Sequence, residues 1–222
     1  MLLALDTSTR STGVALYDGI QVLAETVWLS RDHHTVELAP AVDETLTRAG
    51  VKVSDLRALG VATGPGSFTG LRIGLALAKG VALSRRLPLV GIPTLDFLAA
   101  AQPASSLPLA AVLRAGRGRL AVGWYRFSQD SWQLESPVVV LTPQELSRQI
   151  SRPTLVCGEL SEDERRLLAR KRKNVSLASP AQSLRRPSFL AELAWKQWQA
   201  GQVADPNTLA PLYLHYNAPV PG

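Results

Sequence analysis

Hydrophobic periodicity changes along this chain in an order that occurs twice, and that order constrains the fold more than any single motif. Residues 2–6 form a short apolar run, and residues 13–17 and 21–28 flank the turn pair Asp18-Gly19. This predicts three strands, the last two joined as a hairpin. A helix is predicted over 36–49, where Leu38, Val42, Leu46 and Ala49 share a face and Gly50 ends it; Pro40 should sit in its first turn or kink it. A strand at 56–63, a helix at 68–84, a strand at 89–92 and a helix from Thr94 follow. From residue 109 the order returns. Strands fall at 109–113, 120–127 and 132–141, and a helix is opened by the capping box Thr142-Pro143-Gln144-Glu145. A strand at 154–157, a helix capped by Ser161 and Glu164, a strand at 175–177 and a last helix over 188–200, closed by Gly201, complete it.

Three strands, a helix, a strand, a helix and a strand, twice over, predict an α/β protein of two subdomains on one plan, each a mixed sheet flanked by helices. Pro103, Ser105, Ser106 and Pro108 mark the junction, which puts the N-terminal subdomain at 1–102 and the C-terminal subdomain at 103–222. A chain of 222 residues that is 46% hydrophobic can bury cores of that size. Cys157 is the only cysteine, which excludes an intrachain disulfide and points to a reducing compartment, the cytoplasm. Met1-Leu2-Leu3-Ala4-Leu5-Asp6 lacks the basic region of a signal peptide, and Arg72 and Lys79 interrupt the apolar run around them, so no membrane association is expected. Residues 1–100 carry nine charges of each sign, and residues 101–222 carry fifteen basic against nine acidic. The whole net charge of +6 therefore lies in the second half, a surplus suited to a polyanion such as RNA.

The junction after the strand at 56–63 reads Gly64-Pro65-Gly66-Ser67-Phe68-Thr69-Gly70-Leu71-Arg72-Ile73-Gly74. Its glycines suggest a phosphate loop. Yet no Gly-Lys-Ser/Thr stands at Walker spacing, and Thr69 occupies the place of the third glycine in a dinucleotide fingerprint. The next strand ends in Ile92-Pro93-Thr94, with no carboxylate for a ribose. The residues predict instead a tight turn, with Pro65 fixing φ, Gly66 free to take φ > 0, and Ser67 capping the helix. Gly70, Gly74 and Ala78 then form a smooth stripe, open either to packing inside the fold or to a helix of another subunit.

Asp6-Thr7-Ser8-Thr9 gathers a carboxylate and three hydroxyls at the end of the first strand. Such a group holds a phosphate or a hydrated metal, or it turns the chain into the next strand; Asp6, Thr7 and Ser8 are the candidate nucleotide or phosphate contacts. His33 and His34 are neighbours and do not share a helix face, and His215 is remote, so no metal ligands and no catalytic residues are assigned. Cys157 reads as a buried strand residue. Arg165-Arg166 and Arg170-Lys171-Arg172-Lys173, with Arg185 and Arg186, form a basic patch. Glu162, Asp163 and Glu164 open the same helix, so complementing the helix dipole covers part of this patch, and RNA contact is the other reading. Trp195 and Trp198 share a helical face with Leu190 and Ala194 and are expected in the core.

Taken together, Asp6-Thr7-Ser8-Thr9, the string Gly64 to Gly74 followed by Leu75-Ala76-Leu77-Ala78-Lys79-Gly80, His34 through Pro40, and Pro211-Leu212-Tyr213-Leu214 resemble the bacterial TsaB (YeaZ) family of tRNA threonylcarbamoyladenosine biosynthesis proteins. The match is strong over about the first 100 residues and mainly architectural beyond them. The resemblance implies an actin-like ATPase fold (ASKHA, ribonuclease H-like) of two subdomains. It implies a non-catalytic scaffold that pairs with the catalytic paralogue TsaD and is joined by the ATPase TsaE. That complex transfers a threonylcarbamoyl group from its adenylate to the adenosine beside the anticodon of tRNAs reading A-starting codons. No tightly bound cofactor is implied, with ATP or ADP only at the assembled interface, and an isolated chain pairs with itself. The implied partner interface comprises Leu38, Val42, Leu46, Phe68, Gly70, Leu71, Gly74 and Ala78. One departure stands out: Arg114-Ala115-Gly116-Arg117-Gly118-Arg119 replaces an acidic stretch common in the family. This loss of carboxylates argues against the alternative reading as an independent actin-like-fold ATPase or small-molecule kinase. A metallopeptidase has no ligand constellation to support it.

Overall fold

The computed structural model describes residues 1–30 and 34–214. In the first sheet, β1 (Leu2–Asp6), β2 (Ser11–Tyr17) and β3 (Val22–Leu29) run antiparallel. β4 (Ala58–Gly64) and β5 (Leu89–Pro93) continue in parallel from β1, giving the order β3-β2-β1-β4-β5. In the second, β6 (Leu109–Gly116), β7 (Arg119–Ser128) and β8 (Ser131–Leu134) are antiparallel, and a short strand, β9 (Val139–Leu141), also pairs with β7. β10 (Thr154–Gly158) and β11 (Val175–Leu177) extend it in parallel from β6. Counted from β8, the second sheet repeats the order of the first.

Among the described residues six α-helices cover the sheets: α1 (His34–Arg48), α2 (Phe68–Arg85), α3 (Thr94–Ala100), α4 (Pro143–Gln149), α5 (Glu162–Ala169) and α6 (Pro187–Gln199). The alternation of side chains along each strand decides which helix lies on which face. Leu3, Leu5, Val14 and Leu16 pack under α1 and α2, while Leu2, Ala4 and Ala15 on the opposite face pack against Leu190, Ala191 and Ala194 of α6. In the second sheet, Leu109, Ala111 and Leu113 meet α3, and Ala110, Val112 and Val156 meet α4 and α5. Cys157 is buried on the α3 side, and Trp195 and Trp198, on α6 itself, are half-buried against the core beneath that helix. None of the described helices is long and apolar enough to cross a membrane.

Two expectations need correction and a third is narrowed. The strand expected at 132–141 is two strands. β8 pairs with the second half of β7 and β9 with the first, and Pro137, which has no N–H to give a ladder, lies in the gap. Residue 102 separates the two sheets but not their helices. α6 crosses back onto the first sheet, Ala204 bridges to Leu89, and Leu212 N donates to Thr63 O at 2.7 Å, so residues 204–212 strap the N-terminal half. Of the two places expected for Pro40, the first turn is excluded: the residue lies further inside α1, on the exposed side.

Candidate functional site

β1 is buried over its whole length, and the chain leaves it through Asp6, Thr7, Ser8 and Thr9, all buried. Asp6 Oδ1 accepts from Ser8 N at 2.8 Å, the side-chain-to-backbone turn that such a sequence favours. The hydroxyls are used within the fold: Thr7 Oγ1 donates to Gly70 O at 2.7 Å, and Ser8 Oγ is paired with Thr94 Oγ1 at 2.9 Å. Ser67 caps α2 as expected, its Oγ accepting from Gly70 N at 3.2 Å, but the positive φ of the turn falls on Gly64 (112°) rather than Gly66.

Gly70 and Gly74 of α2 admit this loop. A Cβ on Gly70 would stand 2.2 Å from Thr7 O, and one on Gly74 2.3 Å from Thr7 Oγ1. The stripe therefore faces inward, which corrects the expected contact surface. Gly70, Leu71, Gly74 and Ala78 are buried in α2, and Leu38 and Leu46 are buried beneath α1. Of the expected interface residues only Val42, half-buried, and Phe68, 53% exposed, reach the surface. The outward stripe of α2 is instead Thr69, Arg72, Ala76, Gly80 and Leu83, again at helical spacing. A Cβ on Gly80 would meet nothing within 4 Å.

The residue that dominates the end of β1 is Arg185, read from the sequence only as part of a surface patch. It is 2% exposed. Its Nε donates to Asp6 Oδ2 at 2.9 Å, its Nη2 to Thr9 Oγ1 at 2.8 Å and Ser11 O at 2.7 Å, and its Nη1 to Glu159 Oε1. Thr9 Oγ1 in turn donates to Glu159 Oε1 at 2.6 Å. Burial alone would lower the guanidinium pKa; the Asp6 and Glu159 carboxylates outweigh it and hold the pKa above the usual arginine value. Asp6 thus faces a fixed internal cation, and each of its two oxygens is bonded within the chain. Asp6 and Glu159 lie 179 and 26 residues from Arg185, so no local pattern signals the cluster.

A cavity of about 1130 Å³ opens beside this cluster, at the carboxyl ends of β6 and β10. Arg10, Arg114, Leu160, Leu184 and Tyr213 are among its walls. Phe68 stacks on Tyr213 at 5.1 Å between centroids, and Arg72 lies 3.7 Å over the Phe68 ring while its Nε donates to Tyr213 Oη at 3.0 Å. Arg114 is exposed on the rim, 3.8 Å from Glu164. Burial raises the Cys157 thiol far above its ordinary pKa, which leaves it a poor nucleophile. Among the described residues no group of His, Cys, Asp and Glu could hold a metal ion; His33 and His215 lie outside them.

Comparison with known proteins agrees with this plan. Two sheets of one strand order, each flanked by helices, form the two-subdomain actin-like ATPase fold. Residues 22–163, well over half of the chain, match the family model described as "TsaD: tRNA N6-adenosine threonylcarbamoyltransferase". The tRNA threonylcarbamoyladenosine biosynthesis protein TsaB of Bacillus subtilis is 30% identical over 217 residues, 96% of this chain and 93% of that protein. TsaB of Escherichia coli is 36% identical over 148 residues, 64% of this chain and 63% of that protein. The solved structure of YeaZ from Pseudomonas aeruginosa superposes with a TM-score of 0.78 at 27% identity, covering 96% of this chain and 99% of that one. By sequence along nearly its whole length and by fold, the chain belongs to the TsaB family.

Proposed function

We propose that this chain is a non-catalytic subunit of the machinery that builds threonylcarbamoyladenosine on tRNA in the cytoplasm. It pairs with a TsaD-type transferase subunit through the outward faces of α1 and α2. The observation that carries this reading is the contrast between the two candidate sites. At the end of β1, Arg185 engages both carboxylates within reach, and the hydroxyls of Thr7, Ser8 and Thr9 are bonded inside the fold. On α1 and α2, Val36 is 67% and Leu83 55% exposed, beside exposed Ala76 and Gly80. A glycine inside a helix costs about 1 kcal/mol against alanine. Packing within the chain explains Gly70 and Gly74 but gives no reason for Gly80; close approach of a partner helix supplies one.

The same surface serves self-association when the partner is absent, the TsaE-type ATPase joins the pair, and ATP or ADP is taken only at the assembled interface. Ala76→Arg tests the reading, because Ala76 is exposed and a charge there leaves the chain folded. Co-purification with the TsaD-type subunit and threonylcarbamoylation of tRNA by the reconstituted complex should both be lost, with the circular dichroism spectrum unchanged. Pairing and modification at wild-type levels would show that this face is not the interface.

A further inference from the structure

We infer that two adjoining turns, residues 148–152 and 170–174, form a docking surface for the phosphate backbone of an RNA helix. The identity of the polyanion rests on the tRNA-modifying role proposed above. The first takes in the last residues of α4 and the loop after it, the second follows α5, and the two are pinned together. Lys171 Nζ donates to Ile150 O at 3.1 Å, Asn174 Nδ2 to Ser151 O at 3.1 Å, and Thr154 N to Asn174 O at 2.9 Å. They bring together Arg148, Arg152, Arg170, Lys171, Arg172 and Lys173. All are exposed except Lys171, which is half-buried against Ile150.

None of these six forms an ion pair among the described residues, whereas five of the nine other basic residues of this half, Arg114, Arg126, Arg166, Arg185 and Arg186, each face an acid. Glu145 lies one turn before Arg148 but is bonded to Thr142 in its capping box, and Glu162, Asp163 and Glu164 sit at the opposite end of α5. The carbonyl ends of α4 and α5 carry about half a negative charge each. They offset about one of the six positive charges and leave a surplus that the fold does not use. The surface stands at the start of β10, while the Arg185 cluster and its cavity stand at the end of that strand, roughly 17 Å away. It is also on the other sheet from α1 and α2. RNA held here would leave the partner face free.

Binding of the full chain to unmodified tRNA, read by fluorescence anisotropy from about 50 to 200 mM salt, tests this. Four phosphate contacts give a slope of log K against log salt of about −3.6. The triple variant Arg170→Gln/Arg172→Gln/Lys173→Gln should make that slope shallower by about 3 and weaken binding about tenfold or more at the lowest salt. Lys52→Gln/Arg57→Gln/Arg85→Gln, equally exposed on the other half, should leave both unchanged. The inference is overturned by any of four results: no binding at about 100 μM chain, an unchanged slope in the first triple, equal losses in both triples, or a polyglutamate peptide binding as tightly as tRNA with the same dependence on the first triple. Co-purification with the TsaD-type subunit separates the two readings. The first triple keeps its partner while losing RNA; if Ala76→Arg keeps its partner while RNA binding stands, only the interface reading falls.

Discussion

Arg185→Met removes the guanidinium while keeping much of the side-chain volume, and it isolates what the buried cluster contributes. In the native chain Asp6 is 1% exposed, and Arg185 answers it together with Glu159, Thr9 and the Ser11 carbonyl. Breaking a buried pair strands the remaining charge and costs about 3–5 kcal/mol, against about 0–1 kcal/mol for an exposed pair. That is a large share of the roughly 5–15 kcal/mol that holds a domain folded. For a chain of this length each kcal/mol is worth roughly 2–4 °C, so the midpoint of thermal unfolding should fall by roughly 6–20 °C. The control is Asp6→Asn/Glu159→Gln/Arg185→Met, which removes every charge of the cluster at once. Neutral replacement of a whole buried pair is often without cost, so the triple variant should recover most of the loss. Urea unfolding of wild type, single and triple variants gives the three free energies. If the single variant loses less than about 1 kcal/mol, or the triple variant is as unstable as the single, the cluster is not the joint described here.

Two further perturbations follow from the same structure. Gly80→Ala and Gly70→Ala are one substitution in one helix with opposite signs. At Gly80 the added methyl meets open space and should stabilise the chain by about 1 kcal/mol while weakening partner binding. At Gly70 it meets Thr7 O and should cost about 1–3 kcal/mol; thermal scans of both variants check the pair, and equal signs would refute it. Asp96 offers a pH test. Burial raises its carboxyl pKa, opposed by the hydrogen bond from Tyr125 Oη at 2.7 Å. The folded chain therefore holds this proton more tightly than the unfolded one. The contribution is fully present below the unfolded pKa, about 3.9, and is lost as pH rises through the raised folded value. Asp96→Asn keeps an acceptor for Tyr125, so urea unfolding from acid to neutral pH should show the wild type losing stability relative to the variant across that window; parallel curves would exclude it.

What the sequence disclosed and what it hid have a common physical cause. Strand patterning and capping residues act over a few positions, so the repeated order and the caps at Ser67, Thr142 and Ser161 were legible. Periodicity says that a face is covered, not by what. The apolar face of α6 was plain, yet nothing local showed that it returns to the first sheet. In the same way Gly70, Gly74 and Ala78 make a smooth stripe whichever element approaches it, and only the path of Thr7 and Ser8 shows that the approaching backbone belongs to the chain itself. Arg185 is the extreme case, because its meaning lies wholly in residues brought from both sheets. The loop after β1 and the glycine segment, read from the sequence as two separate sites, are thus one joint, closed from the far end of the chain by Arg185. A joint that spends its carboxylates and hydroxyls on itself holds two subdomains in place. That is why the partner surface proposed above is sought on the outer faces of α1 and α2 rather than at this joint.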